Sequence, residues 1–526
     1  MHALASGVAA ADGSGLVVST RVSSPVARRP PDPAHVPVAW PLLVGAAAAL
    51  AAVLVAVSGR YGYHRDELYF LRAGEEPAFG YVDQPPLTPL LARLAHELSG
   101  GSLVGLRLLP ALAAGLVVLC TGLIARELGA RRAGQGLAAV CMAVAAFLVA
   151  VGHLMSTSTF DLFAWTALSW LVVRALRDGG RSWLLVGVVA GAGLQNKVLV
   201  AFLLAGLAAG LLLVGPRAPL RTPWPWLAAA LALLLWAPFL LWQAAHGWPQ
   251  LELSRAIAAG SSGTSEPRWL FLPYQLVLVS PLLVPVWAAG LARLARDPQL
   301  RAYRAFAVAY VLLAGVFLLT GGKPYYLAGL YPVLLAAGAD PALRWARCGR
   351  ARLRAGLLTG AVALSAAVSA ALFLPLVPVQ QLASTPITEI NDDAGETVGW
   401  PALVQTVARA HAGLPAGERA GAVVLTRNYG QAGAVDRSRT ELGLPPVYSG
   451  HNSYADWGPP PDTPGPAIVV GYERDQLLAW FGSVELTGRV DNGVGLDNDE
   501  QGTAVWTCRD RRAPWAQLWP ELRRYA

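Results

Sequence analysis

Charge is scarce in this 526-residue chain: 14% of residues are Asp, Glu, Lys or Arg, while 55% are hydrophobic. Soluble domains carry about a quarter charged residues, so this chain lacks the polar coat that water requires. A cytosolic enzyme, a disordered protein and an ordinary secreted domain are excluded, and the mean hydropathy of +0.45 fits an integral membrane protein. Lysine is nearly missing: of 41 basic residues only Lys197 and Lys323 are Lys. Cysteine is sparse too. Cys120 and Cys141 lie in apolar runs, Cys348 in a basic loop and Cys508 alone near the C-terminus, which gives no disulfide framework. Despite a net charge of +8, no basic helix or basic-aromatic stripe of the nucleic-acid kind is present.

Long apolar runs are what the chain has instead. Eleven reach the length a bilayer sets, at about 38–58, 103–125, 134–152, 160–177, 182–196, 198–214, 224–243, 271–291, 305–320, 325–340 and 355–377. Gln195-Asn196-Lys197 is a soft boundary between the fifth and sixth. The expected fold is an all-α polytopic membrane bundle of about eleven transmembrane helices, over 37–378. Residues 1–36 read as a flexible tail. After about 380 hydropathy falls, and Ala422-Val-Val-Leu425 and Ala467-Ile-Val-Val470 read as strands of a small α/β or α+β domain over 379–526.

Sidedness follows from the basic residues. With residues 1–36 cytoplasmic and the runs alternating, twenty Lys/Arg fall on the cytoplasmic side and nine on the other. The positive-inside rule favours this arrangement, which places the C-terminal domain outside the cell membrane. The outer loops then hold nearly all the chemistry. The first, 59–102, carries Tyr63-His-Arg65-Asp66-Glu67 and Asp83-Gln84-Pro-Pro. Asp161 opens the fourth run. His246, Glu252 and Arg255 follow the seventh. Lys323-Pro-Tyr325-Tyr326 follows the ninth, with Tyr331 just beyond. A count blind to chemistry thus gathers these groups on one face.

Each group also has a plain reading. Asp66 and Glu67 could be solvated surface acids. Asp161 is a good helix N-cap, although a carboxylate entering an apolar span costs on the order of 3 kcal/mol at mid-bilayer and usually faces a cavity or partner. Lys197 and Lys323 could snorkel to the interface, yet an ammonium also suits a phosphate as a point charge. His246 with Glu252 offers a loose ligand pair for a divalent cation.

The acidic pair after the first run, the Pro85-Pro86-Leu87 downstream, the second Asp at the head of a span and Lys323-Pro-Tyr-Tyr with Tyr331-Pro332 resemble one family over about 60–335. It is the bacterial branch of the dolichyl-phosphate-mannose protein mannosyltransferases and lipid A aminoarabinose transferases (glycosyltransferase family 39), with the type C glycosyltransferase fold. Asn428-Tyr-Gly-Gln-Ala-Gly-Ala and Leu444-Pro-Pro-Val-Tyr-Ser-Gly-His-Asn452 resemble further bacterial members. Where aminoarabinose transferases have Lys-Pro-Pro in the first outer loop, this chain has Gln84-Pro85-Pro86.

The resemblance implies an enzyme that moves a sugar from a polyprenyl-phosphate donor to an outer glycan, lipid or protein acceptor, with inversion. It implies Asp66 as general base, Glu67 orienting acceptor or loop, and Asp161 binding acceptor or a shared cation. A phosphate leaves, so Lys323, Lys197, Arg255 and Tyr326 are the expected stabilisers. Tyr63, Arg65, Asp83, Gln84, Tyr325 and Tyr331 complete the expected substrate contacts. The rival reading is a polytopic transporter or lipid flippase, which favours internal repeats and polar groups at mid-bilayer; no repeat is visible.

Overall fold

The computed structural model describes residues 36–259 and 267–525. The tail expected over 1–36 lies outside them except for Val36.

All eleven apolar runs are helical. Seven helices, counting any short 3-10 turn that leads in, are long and apolar enough to cross a membrane: α1 (Trp40–Val57), α4 (Leu103–Glu127), α7 (Thr157–Asp178), α10 (Trp224–Ala245), α14 (Arg304–Thr320), α15 (Tyr331–Arg347) and α16 (Ala351–Phe373). Between the first two lie α2 (Arg65–Glu75) and α3 (Leu87–Leu98). Two helix pairs reach span length only together and are bent between their halves. The first joins α5 (Arg132–Ala143) to α6 (Ala146–Gly152) with a 60° bend. In the second, α12 (Phe271–Val277) and α13 (Val284–Arg296) meet at 72° near Pro281, whose missing N–H ends a helix. With these pairs the described residues hold up to nine spans rather than about eleven. The difference lies in α8 (Ser182–Leu194) and α9 (Leu199–Leu213), at 13 and 15 residues shorter than the ~20 that span hydrocarbon. One short amphipathic helix, α11 (Pro249–Ala258), follows α10.

Backbone groups freed by the two breaks satisfy each other. Ala146 N–H donates to the Val279 carbonyl at 3.0 Å and Phe147 N–H to that of Leu278 at 2.8 Å. Lipid supplies no partner for such groups, so broken helices survive only when protein does. α4 and α15 are the most enclosed spans, and α16 faces outward along most of its length.

The C-terminal part folds around a five-stranded mixed sheet in the order β2-β1-β3-β5-β4. β1 (Val423–Thr426), β2 (Val447–Ser449) and β3 (Ala467–Val470) are parallel; β4 (Phe481–Arg489) and β5 (Ala504–Arg511) add an antiparallel hairpin. β1 and β3 are buried throughout and read as short apolar runs, with Thr426 the one polar residue, as doubly covered strands do. The helix Tyr429–Leu442 connects β1 to β2.

That helix docks on α2, and glycine makes the approach possible. A Cβ on Gly430 would lie 2.8 Å from Arg65 Cβ, and one on Gly433 would lie 2.9 Å from Leu68 Cβ. Tyr69, Phe70 and Leu71 of α2, Leu106 of α4, Met155, and Ala432 and Tyr454 of the C-terminal part form one buried cluster. The first loop is thus held between bundle and sheet.

Candidate active site

α2 begins with a cap built from its own sequence. His64 is the N-cap residue: its Nδ1 accepts the Asp66 N–H at 3.2 Å, and its own N–H donates to Glu67 Oε2 at 2.8 Å. This fixes Arg65, Asp66 and Glu67 on the first turn, each facing a different neighbour.

Glu67 points inward and is 0% exposed. Arg107 of α4, 1% exposed, grips it with Nε to Oε1 at 2.8 Å and Nη2 to Oε2 at 2.7 Å. Met155 N–H adds a bond to Oε1 at 2.9 Å. Arg107 also donates to the carbonyls of Ser58 and Gly62, both at 2.8 Å. Burial alone would raise the Glu67 carboxyl, but the guanidinium outweighs it and holds it below the ordinary range.

Asp66 is about one-third exposed. The Tyr429 hydroxyl donates to its Oδ1 at 2.7 Å, and Arg65 Nε stands 3.9 Å from the same oxygen. Arg65 itself is drawn toward Glu396, Nη1 to Oε1 at 2.9 Å. Asp83 accepts from Tyr69 OH at 2.8 Å and from Asn452 Nδ2 at 3.5 Å. Burial pushes its carboxyl up to about 7.

The lysines arrive from the bundle. Lys197 donates to Ser158 Oγ at 2.9 Å and lies 5.2 Å over the Tyr325 ring. Its charge acts on Asp161 and Asp66, and Lys323 in turn feels Lys197, Asp66 and Arg65. Asp161 is 9% exposed, with Oδ1 unbonded among the described residues. Tyr325 feels Asp66 and Asp161; Tyr326, edge-on to it at 5.2 Å, feels Asp161. Lys197, Ser158, Asp161, Tyr325 and Tyr326 are thus grouped at the head of α7.

Other expected residues sit elsewhere. The Tyr331 hydroxyl is buried in the bundle on Gln275 O and Oε1, both at 3.0 Å, because its helix turns it away from Tyr325 and Tyr326. Tyr63 donates to Gly101 O at 3.2 Å and carries the Arg437 guanidinium 4.5 Å over its ring, a docking contact. Gln84 is buried, its carbonyl accepting the Tyr81 N–H at 2.9 Å. Arg255 is exposed on α11. His246 and Glu252, offered as metal ligands, are exposed in an open cleft beside Arg523, Arg524 and Tyr525, whose two cations oppose another.

The cluster whose ligand atoms do converge among the described residues is His64, Asp393 and Glu396, within 4.8 Å of one another. Because His64 Nδ1 accepts the Asp66 N–H, the imidazole proton sits on Nε2, 2.8 Å from Glu396 Oε2. As arranged, the imidazole is neutral and turns its Nε2 proton toward the two carboxylates, so Nε2 offers no lone pair to a cation. Sequence reasoning passed over this group, and also Arg107, Tyr429 and Asn452. An Arg inside an apolar run was the available signal for Arg107.

Residues 83–242 match the profile of the family described as dolichyl-phosphate-mannose-protein mannosyltransferase. Undecaprenyl phosphate-alpha-4-amino-4-deoxy-L-arabinose arabinosyl transferase 1 from Pseudomonas fluorescens (strain Pf0-1) is 27% identical over 348 residues, 60% of this chain and 58% of that enzyme's length. The fold is similar to crystal structures of ArnT from Cupriavidus metallidurans. The apo state gives a TM-score of 0.55 and the undecaprenyl phosphate complex 0.52, each at 13% identity, covering 89% of this chain and 97% of that one. The architecture is thus that of a multi-pass membrane protein with a fold similar to those ArnT structures.

Proposed function

We propose that this chain transfers a sugar from a polyprenyl phosphate to an acceptor outside the cytoplasmic membrane, with Asp66 as general base. The observation that carries the reading is geometric: Lys197 bonds Ser158, one turn from Asp161 on α7, and lies over the Tyr325 ring beside Lys323, while Asp66 opens the loop helix above. The relatives' names point the same way, since they act on or hold undecaprenyl phosphate. In the reaction the acceptor hydroxyl oxygen bonds to the anomeric carbon from the face opposite the phosphate, inverting the centre. The bond from that carbon to the phosphate oxygen breaks with its electron pair, and polyprenyl phosphate departs. The hydroxyl proton passes to Asp66, a step worth roughly 10²–10⁴-fold.

Lys197 and Lys323 supply positive charge where the leaving phosphate gains negative charge. Gln84 brings no charge, so this pair carries the task from the bundle side. Asp161 holds the acceptor or aligns Lys197. Glu67, with both oxygens already engaged, anchors the loop rather than reacting. A transporter reading calls for repeats and polar groups at mid-bilayer; gathering beside the first loop and C-terminal part favours transfer.

The test uses purified protein in detergent and a radiolabelled polyprenyl-phosphate sugar. Asp66→Asn keeps shape but cannot take the proton, so transfer should fall about 100-fold or more with donor binding unchanged. Near wild-type transfer by a correctly inserted Asp66→Asn protein would remove the proposed base. The donor itself is found by mass spectrometry of the polyprenyl-phosphate sugars that accumulate in cells without this protein.

A further inference from the structure

We propose that Tyr429 is a positioning residue for Asp66, so that the transfer site is completed by the C-terminal domain rather than by the membrane bundle alone. The inference rests on the reading of Asp66 as base. The two residues lie 363 positions apart, yet the Tyr429 hydroxyl donates to Asp66 Oδ1 at 2.7 Å. No hydrogen bond to Oδ2 occurs among the described residues. One oxygen is thus held and the other is left for the acceptor's proton. A carboxylate rotates through a broad, two-fold torsional well unless something fixes it. A hydrogen bond to a charged group is strong enough to bias that well by about ten- to a hundredfold.

Tyr429 is itself held on every side. It is the first residue of its helix, at the carboxyl end of β1, where the ends of parallel strands commonly build ligand sites. Asn428 caps the helix by accepting the Gln431 N–H at 2.8 Å. The Tyr429 N–H donates to Nδ1 of His451, from the end of β2, at 3.4 Å. Its ring packs between His451 and Tyr69, each with ring centres at 4.8 Å. Tyr69 in turn donates to Asp83, which links the same contact to the second carboxylate of the loop. Gly430 and Gly433 bring the helix close enough to α2 for the hydroxyl to reach. A hydroxyl used only to dock two domains could pair with any surface group; this one is spent on the reacting carboxylate.

The experiment uses full-length protein in the transfer assay. Tyr429→Phe keeps the ring and its stacking and removes only the hydroxyl. The expected result is a kcat lowered about ten- to a hundredfold, with KM for the polyprenyl-phosphate sugar and resistance to heat unchanged. Because Tyr429 acts through Asp66, the double variant Asp66→Asn/Tyr429→Phe should be no slower than Asp66→Asn alone. Wild-type kcat in Tyr429→Phe, with Asp66→Asn inactive, overturns the positioning role and leaves the base in place. Losses that multiply in the double variant overturn it as well. An active Asp66→Asn protein removes both.

Discussion

Replacing Glu67 by Gln tests the pairing that fixes the first loop. The substitution keeps the side chain's size and one carbonyl-type oxygen, which can still accept the His64 N–H. The other oxygen becomes an NH2 group facing the guanidinium of Arg107, donor against donor. Arg107 keeps the carbonyls of Ser58 and Gly62 and its Nη2 bond to the remaining oxygen, but its Nε loses Oε1 and the opposing charge is gone while the guanidinium is 1% exposed. Leaving one partner of a buried ion pair uncompensated costs about 3–5 kcal/mol, roughly a thousandfold in the folding equilibrium. Removing both charges at once, in Glu67→Gln/Arg107→Met, should recover part of that loss, because no charge is then stranded. Unfolding of a detergent-held membrane protein is governed by rate. The measurement is therefore the half-life at fixed temperature, followed by the fluorescence of the 18 tryptophans. Glu67→Gln should shorten it sharply and the double variant should restore part. A single variant as durable as wild type would refute the reasoning, as would a double variant less durable than the single.

Lys323→Ala should lower turnover by removing charge beside the leaving phosphate, and Lys323→Arg should rescue it poorly, since a planar fork does not replace a point charge; full activity in Lys323→Ala would leave that lysine a membrane anchor only. The Asp83 carboxyl, raised to about 7 by burial, holds its proton more tightly folded than unfolded. Its contribution to stability is complete below about pH 4 and is lost as pH rises through 7, at a slope of up to about 1.4 kcal/mol per pH unit. Asp83→Asn should therefore gain melting temperature relative to wild type between pH 5 and 8, and a constant difference would disprove the assignment. Cysteines placed near Asp66 and Lys323 should react with an impermeant thiol reagent in intact cells, and one near Arg131 should not; labelling near Arg131 would reverse the proposed orientation.

Much of this was legible from local signals. Apolar length located all eleven helical runs, and charge asymmetry predicts one face for Asp66, Asp161, Lys197 and Lys323. What stayed hidden depended on non-local geometry. Tyr331 has the same chemistry as Tyr325 and lies six residues on, but helical phase sends it into the core against Gln275. Arg107 counted only as one more outer-loop cation, because its partner is 40 residues away. Nothing around Tyr429 signals a carboxylate 363 residues upstream. Of the eleven runs, α8 and α9 are as apolar as their neighbours but shorter than the length that crosses a bilayer alone.

The crossed bonds between the two broken spans carry a consequence for biosynthesis. Ala146 and Phe147 emerge from the ribosome about 130 residues before Leu278 and Val279, their acceptors. At 5–20 residues per second, that is a wait on the order of ten seconds. During it, two backbone donors at a bend lack their final partners, and hydrocarbon would penalise each by several kcal/mol. The α5–α6 pair is therefore expected to reach its native depth only after the α12–α13 pair has been made. Assembly of this bundle is gated by its second break, and a chain released before about residue 280 should be recognised by quality control as unfinished.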